Sequence, residues 1–111
     1  MKIKITPLDT LFSVVIRQRA VNRVGGSERC LKPHTWKELQ CSHFHGRSKK
    51  SVRWDEDNAA GLCFGCHQYL GSHPLEHIEW FQQHLGDEKF ALLNSRAIIT
   101  HPKPDKKLIE I

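Results

Sequence analysis

Hydrophobic side chains recur at helical spacing near the amino terminus, from Asp9 to about Arg23. The apolar positions are Leu8, Leu11, Phe12, Val15, Ile16 and Ala20. Arg17, Arg19 and Arg23 fall mostly on the opposite side of the projected helix. The pattern therefore predicts an amphipathic helix that ends at Gly25-Gly26-Ser27.

The middle of the chain changes to a period of two. Residues 39–45 alternate as a strand does, and one face of that strand would carry Cys41, His43 and His45. Residues 46–50, GRSKK, are typical of a turn and hold three cations, an arrangement suited to phosphate contact. Residues 52–54 are predicted to extend this strand or to pair with it. Residues 59–62 then lead back toward Cys63.

Helical spacing returns in the second half. We expect one helix from Phe64 to Leu70 and a second from Pro74 that stops at Gly86. Asp87 can cap a further helix. Its core face would consist of Phe90, Leu93 and Ala97. Residues 101–111 contain two prolines and three lysines and are predicted to be extended.

Length and composition limit the architecture. A chain of 111 residues has room for one domain, and 39% hydrophobic with 26% charged residues is an ordinary globular balance. We expect a helical arm at 1–26, a core at 27–71, helices at 72–100 and a tail at 101–111. No apolar run approaches the ~18 residues of a membrane span, and no export signal is recognisable, so a cytoplasmic protein without a membrane partner is expected.

The charge favours a polyanionic partner. Lysine and arginine number 17 against 12 acidic residues, which gives a net charge of +5 and a pI near 9.2. Nucleic acid is the partner that such a balance suggests, although a small excess of lysine can also serve solubility alone.

Four cysteines are expected to bind metal, because the cytosol keeps thiols reduced and disfavours disulfides. The C-x-x-C pair of Cys63 and Cys66 supplies half of a tetrahedral zinc site. Cys30 would supply a third ligand. The frame of a second C-x-x-C pair begins with Ser27, which is a poor zinc ligand.

The fourth zinc ligand stays open between Cys41, His34 and a water. Cys41 fits best on chemistry, which gives a predicted structural site of Cys30, Cys41, Cys63 and Cys66. The alternative is that Cys41 is a small buried apolar residue.

Residues 63–67 also form the C-x-x-C-H pattern of covalent c-type haem attachment. That interpretation would make the protein an electron carrier. It requires export and often a distal methionine, whereas Met1 is the only methionine of the chain.

The sequence also contains a set of three polar residues: a histidine on the predicted strand, an asparagine in a loop and a histidine near the start of a predicted helix. These are His43, Asn58 and His67, at intervals of 15 and 9 residues. The chain resembles the HNH endonucleases, or ββα-metal nucleases, in three segments: CSHFHGR at 41–47, WDEDN at 54–58 and LCFGCH at 62–67. It is most similar to the small zinc-bearing type common in bacteriophages, which PLEHIEWF at 74–81 also resembles.

The resemblance implies an α+β fold in which a ββα-metal motif with a structural zinc is flanked by helices. It also implies metal-dependent hydrolysis of phosphodiester bonds in DNA. His43 would be the general base, and Asn58 would hold the loop and orient His43. His67 would bind one catalytic magnesium or manganese ion, distinct from the zinc.

Two departures from the family pattern affect the catalytic metal. Ser42 stands where an aspartate or histidine ligand often precedes the base, and Gly71 stands where some members place another histidine. His45 is the first substitute ligand, ahead of Asp57 and His73.

Four basic residues would contact the DNA backbone under this interpretation: Arg47, Lys49, Lys50 and Arg53. One active site per chain means that a double-strand break requires a homodimer or two successive visits. The alternative function is a zinc-ribbon module that binds nucleic acid without cutting it.

Overall fold

The amino-terminal helix begins at a capping motif. In the computed structural model, which describes residues 3–99, helix α1 spans Pro7–Val24. The Thr6 hydroxyl accepts from the Asp9 amide, the Asp9 carboxylate accepts from the Thr6 amide, and Pro7 occupies the first turn. Gly25 ends the helix in the left-handed conformation, with φ 77°.

The buried face of α1 is narrower than the apolar pattern predicted. Phe12, Ile16 and Ala20 are buried, whereas Leu11 is 61% exposed. The extent of the helix is close to the prediction, but its start lies two residues earlier because Thr6 and Pro7 set the cap.

A two-stranded antiparallel sheet follows. Strand β1 (Gln40–His43) pairs with β2 (Ala59–Leu62), in a register that joins Gln40 to Leu62 and His43 to Ala59. The predicted strand ends early, at His43. The prediction of a strand at 52–54 is wrong, because Lys50–Val52 form a 3₁₀ turn and the Val52 carbonyl accepts from the Asn58 side chain.

Helix α1 covers one face of the hairpin at close range. A Cβ added at Gly61 of β2 would lie 2.6 Å from the Cβ of Ala20. A glycine is therefore needed where the helix crosses the strand.

Three helices complete the fold: α2 (Phe64–Ser72), α3 (Pro74–Leu85) and α4 (Asp87–Ile99). They confirm the helices predicted in this half of the chain. One core cluster joins β2 to α2 and α3 through Ala60, Leu62, Cys66, Leu70 and Phe81. A second joins Val52 to Leu93 and Ala97 of α4, the face that the sequence predicted.

The described part of the chain is thus α+β, with helices on both sides of one hairpin. Two further 3₁₀ turns, Trp36–Glu38 and Glu56–Asn58, precede the two strands. No helix within residues 3–99 is long and apolar enough to cross a membrane. The predicted extended tail at 101–111 lies outside the described residues.

Candidate metal cluster and histidine site

Three side chains from two parts of the chain form a compact group of metal-ligating atoms. They are Cys30, His34 and Cys63, whose ligand atoms all lie within 4.8 Å of one another. The Cys30 Sγ lies 3.6 Å from the Cys63 Sγ and 3.9 Å from the His34 Nε2. Within residues 3–99 this is the only such group of three or more His, Cys, Asp or Glu side chains.

Two local structures bring the group together. Cys63 is the N-cap of α2, where its Sγ accepts from the Cys66 amide at 3.4 Å. Cys30 lies in the turn after α1, where Leu31 adopts the left-handed conformation with φ 59°. That turn folds His34 back toward Cys30 and is closed by a bridge between Gly26 and Pro33.

The surroundings of Cys30 lower the pKa of its thiol. Burial acts to raise the pKa of this thiol. Hydrogen bonds from the Lys32 amide and from the side chains of His34, Ser27 and Cys63 lower the pKa by a larger amount, so that it is about 6. These hydrogen bonds favour the thiolate of Cys30, the form that ligates zinc.

Cys66 lies next to this group but is not one of its three residues. Its Sγ is 3.5 Å from the Nη1 of Arg29, and burial raises the pKa of the Cys66 thiol. It lies one helical turn from Cys63 and is the nearest cysteine available as a fourth ligand.

The predicted zinc ligand Cys41 does not belong to this group, in which His34 lies instead. Cys41 packs against Phe12, Ile16 and Ala59, and burial raises its pKa to about 11. The alternation of β1 places its side chain on the α1 face of the hairpin, away from the group at Cys63. This environment agrees with the alternative interpretation, in which Cys41 is a small apolar residue of the core rather than a zinc ligand.

Ser27 stands where the first cysteine of a second C-x-x-C pair would be, and it has a structural role. It is fully buried, and its hydroxyl accepts from the amides of Arg29 and Cys63, each at 3.3 Å. The serine therefore joins the two turns that carry the metal-ligating residues.

His43 ends β1, and one of its ring nitrogens is fixed by the backbone. The Nε2 lies 3.2 Å from the Arg53 carbonyl oxygen, which can only accept, so Nε2 carries the proton and Nδ1 is left as an acceptor. Burial, reinforced by the nearby charge of Arg47, lowers the pKa of His43. The ring also packs against Phe12, with centroids 5.8 Å apart.

Asn58 holds the loop that follows β1. It is fully buried, accepts from the His45 amide at 2.7 Å, and donates to the carbonyls of His45 at 2.8 Å and Val52 at 3.0 Å. The ring of His43 is oriented by the Arg53 carbonyl, so Asn58 acts on the loop rather than on the ring directly.

His67 lies in the first half of α2 and binds a residue that sequence reasoning missed. Its Nδ1 donates to the Oε1 of Gln40, which leaves Nε2 as the acceptor. Burial lowers the pKa of His67. Strand alternation alone could have indicated Gln40, because it occupies the face of β1 opposite to Cys41 and His43.

The contacts of the two imidazoles lie on opposite faces of the hairpin. His43 packs against α1 through Phe12, while His67 binds Gln40 on the α2 side. No further group of metal-ligating side chains surrounds either ring in the part of the chain that is described.

The substitute ligand His45 belongs to no group of metal-ligating side chains in the described residues. It lies beyond the end of β1, and its Nε2 pairs with the Asn94 side chain of α4 at 2.8 Å. Of the weaker substitutes, Asp57 pairs with Arg96, and His73 stacks on Tyr69 with ring centroids 3.9 Å apart.

Two of the four predicted phosphate contacts, Lys49 and Lys50, are exposed. The Arg47 side chain is 33% exposed, and its Nε lies 3.9 Å from the Oδ1 of Asp9. Arg53 is 8% exposed and its guanidinium binds Asp9, so the prediction that it contacts phosphate is wrong. Trp54 is 40% exposed and its indole donates to Asp9, whereas Trp80 packs against the core.

No family model, no curated protein and no solved structure matches the chain. A relationship to the HNH endonucleases therefore depends on the motif residues alone.

Proposed function

We propose that the protein is an endonuclease that hydrolyses phosphodiester bonds in DNA, with His43 as the general base. The observation that carries the proposal is the hydrogen bond between the His43 Nε2 and the Arg53 carbonyl. It leaves Nδ1 unprotonated in the neutral ring, and the lowered pKa favours that neutral ring at pH 7. A fixed, neutral imidazole is suited to remove a proton from an attacking water.

The surroundings of His43 support an anionic substrate. Arg47 lies close enough to influence the titration of His43, and the exposed Lys49 and Lys50 follow in the same loop. Phosphate contacts of this kind would hold the DNA backbone beside the base. The net charge of +5 adds attraction at longer range.

A catalytic divalent ion fits the described residues only in part. The Nε2 of His67 is one available ligand, but within residues 3–99 His67 belongs to no group of three or more metal-ligating side chains. Magnesium commonly takes most of its ligands from water and substrate phosphate, and its role would be to stabilise charge on the phosphate.

A structural zinc fits the cluster better. Cys30, His34 and Cys63 would hold it, with Cys66 as the fourth ligand. Tetrahedral zinc with Zn–S bonds of ~2.3 Å separates two sulfurs by about 3.8 Å, close to the 3.6 Å between Cys30 and Cys63. The ion would join the turn after α1 to the start of α2 and thereby stabilise the fold.

The test is cleavage of supercoiled plasmid by the full chain, with magnesium, manganese, zinc or chelator added in parallel. We expect nicked or linear DNA from the wild type and none from His43→Ala. His73→Ala is the matched control, because that histidine is exposed and its ring stacks on Tyr69. Cleavage by His43→Ala at the wild-type rate would refute the role of the base.

The second candidate is a zinc-bearing module that binds nucleic acid without cutting it. The observation that favours it is the placement of the His43 and His67 contacts on opposite faces of the hairpin. Retention of labelled duplex DNA in a mobility shift, without cleavage under any of the metals, would select this function.

A further inference from the structure

A buried carboxylate on α1 reaches the loop behind His43. Asp9 is 3% exposed and binds the Arg53 guanidinium twice, with Nε to Oδ1 at 2.9 Å and Nη2 to Oδ2 at 2.6 Å. The indole Nε1 of Trp54 donates to the same carboxylate at 2.9 Å. Asp9 lies 44 residues before Arg53, outside the segment that resembles the nuclease motif.

These contacts exceed what helix capping requires. The capping box needs only the reciprocal bonds between Thr6 and Asp9, and such boxes function at exposed positions. A two-pronged bond to a buried arginine desolvates both charges, which costs free energy and fixes one geometry. The arrangement therefore sets the position of Arg53 as well as the start of α1.

The position of Arg53 matters because its carbonyl accepts from His43. Its side chain is fixed by Asp9 and by the Lys4 carbonyl at 2.8 Å. On the preceding side, the Val52 carbonyl is held by Asn58. The peptide that faces the imidazole is thus restrained from both directions.

We propose that Asp9 is a positioning residue for His43, which it controls by holding the Arg53 carbonyl against the imidazole Nε2. The inference depends on the proposed function for its kinetic consequence. Its structural consequence, the protonated nitrogen of His43, can be measured without any cleavage. The first helix is then part of the catalytic apparatus and does more than cover the hairpin.

The test compares Asp9→Asn with Thr6→Ala in the full chain. Thr6→Ala weakens the same helix cap and removes the Thr6 Oγ1 donor to Oδ2, but it keeps the carboxylate and its two bonds to Arg53, so it is the matched control. Imidazole ¹⁵N shifts are expected to show a protonated Nε2 at His43 in the wild type and in Thr6→Ala, and a mixture of tautomers in Asp9→Asn. Unchanged shifts in a folded Asp9→Asn protein would overturn the proposal.

The kinetic measurement separates positioning from binding. If the wild type cuts DNA, Asp9→Asn should lower kcat about tenfold or more with little change in KM, because misorientation affects the chemical step. Asp9→Glu should recover part of the loss. A wild type that cuts no DNA would refute the nuclease proposal, while the ¹⁵N result would still decide the role of Asp9.

Arg53→Lys provides a second variant in case Asp9→Asn does not fold. It keeps a cation opposite Asp9 but loses the fork that makes two parallel bonds. The same mixture of His43 tautomers is expected. A single protonated Nε2 in that variant would count against the proposal.

Discussion

The Sγ atoms of Cys30 and Cys63 lie 3.6 Å apart, although 33 residues separate them along the chain. One belongs to the turn after α1 and the other caps α2, so neither helix alone accounts for the approach. Two sulfurs at this separation, with the His34 Nε2 at 3.9 Å from one of them, have the spacing of ligands around one tetrahedral ion.

Zinc binding should therefore depend on His34 and not on Cys41. We expect Cys30→Ala and His34→Ala to lose most of about one zinc per chain, because each removes a ligand from a four-coordinate site. Cys41→Ala is the control and should retain the metal. Elemental analysis of the purified variants measures this directly. Metal loss from Cys41→Ala with full retention in His34→Ala would reverse the assignment.

Asn58→Ala should destabilise the fold strongly. The change removes three hydrogen bonds, leaves the partly buried amide and carbonyl of His45 without these partners, and leaves the Val52 carbonyl with the Asp55 amide alone. An unsatisfied buried group costs about 1–3 kcal/mol, so we expect a loss of about 2–4 kcal/mol in the free energy of unfolding. Urea denaturation measures it. Asn94→Ala, which removes only the side-chain bond to His45, should cost less; equal costs would contradict the loop-holding role.

The crossing of α1 over β2 can be tested at Gly61. Gly61→Ala would place a Cβ 2.6 Å from that of Ala20, so we expect a loss of about 1–3 kcal/mol from overpacking. Ala20→Gly alone should cost roughly 1 kcal/mol through helix propensity. The double variant should cost less than the sum, since the space freed at one residue receives the other. If thermal unfolding showed that the costs of the two single substitutions simply add in the double variant, residues 20 and 61 would not be in contact.

Stability should depend on Asp9 at acid pH. Hydrogen bonding to Arg53 holds the pKa of Asp9 well below its ordinary value of 3.8, although burial opposes this. The carboxylate thus binds protons more weakly in the folded state than in the unfolded state. Its stabilising contribution is complete above the unfolded pKa and declines as pH falls through and below about 4.

The measurement is the difference in unfolding free energy between the wild type and Asp9→Asn at several pH values. We expect a plateau from about pH 5 to 7 and a shrinking difference below about pH 4. Thr6→Ala should show a difference that varies less with pH. A difference for Asp9→Asn that stays constant to pH 2 would exclude the ion pair as its source.

Much of the fold follows from local sequence signals. The periodicity and the glycine and proline positions predicted all four helices, because an amphipathic helix is specified by neighbours three and four residues apart. The Thr6-Pro7-Leu8-Asp9 capping pattern would also have given the true start of α1. The spacing of Cys63 and Cys66 indicated a metal site, and Cys30 joined it as predicted.

The errors concern relations that local sequence does not contain. Ligand chemistry favours Cys41 over His34, and strand alternation groups Cys41 with His43 without indicating which helix covers their face. Arg53 was expected to face DNA because its partner, Asp9, lies 44 residues away. The 52–54 segment forms no strand because Asn58 and the α4 core hold Val52 in a turn.

The most direct test of the account is the single-turnover rate of cleavage of an end-labelled DNA duplex by the wild type and by His43→Ala. Both proteins should bind the duplex with similar affinity, which a mobility shift establishes first. A general base contributes typically 10²–10⁴-fold, so we predict a fall of about that size in the substituted protein. Equal rates for the two proteins, or the absence of cleavage by the wild type with every divalent metal, would contradict the account.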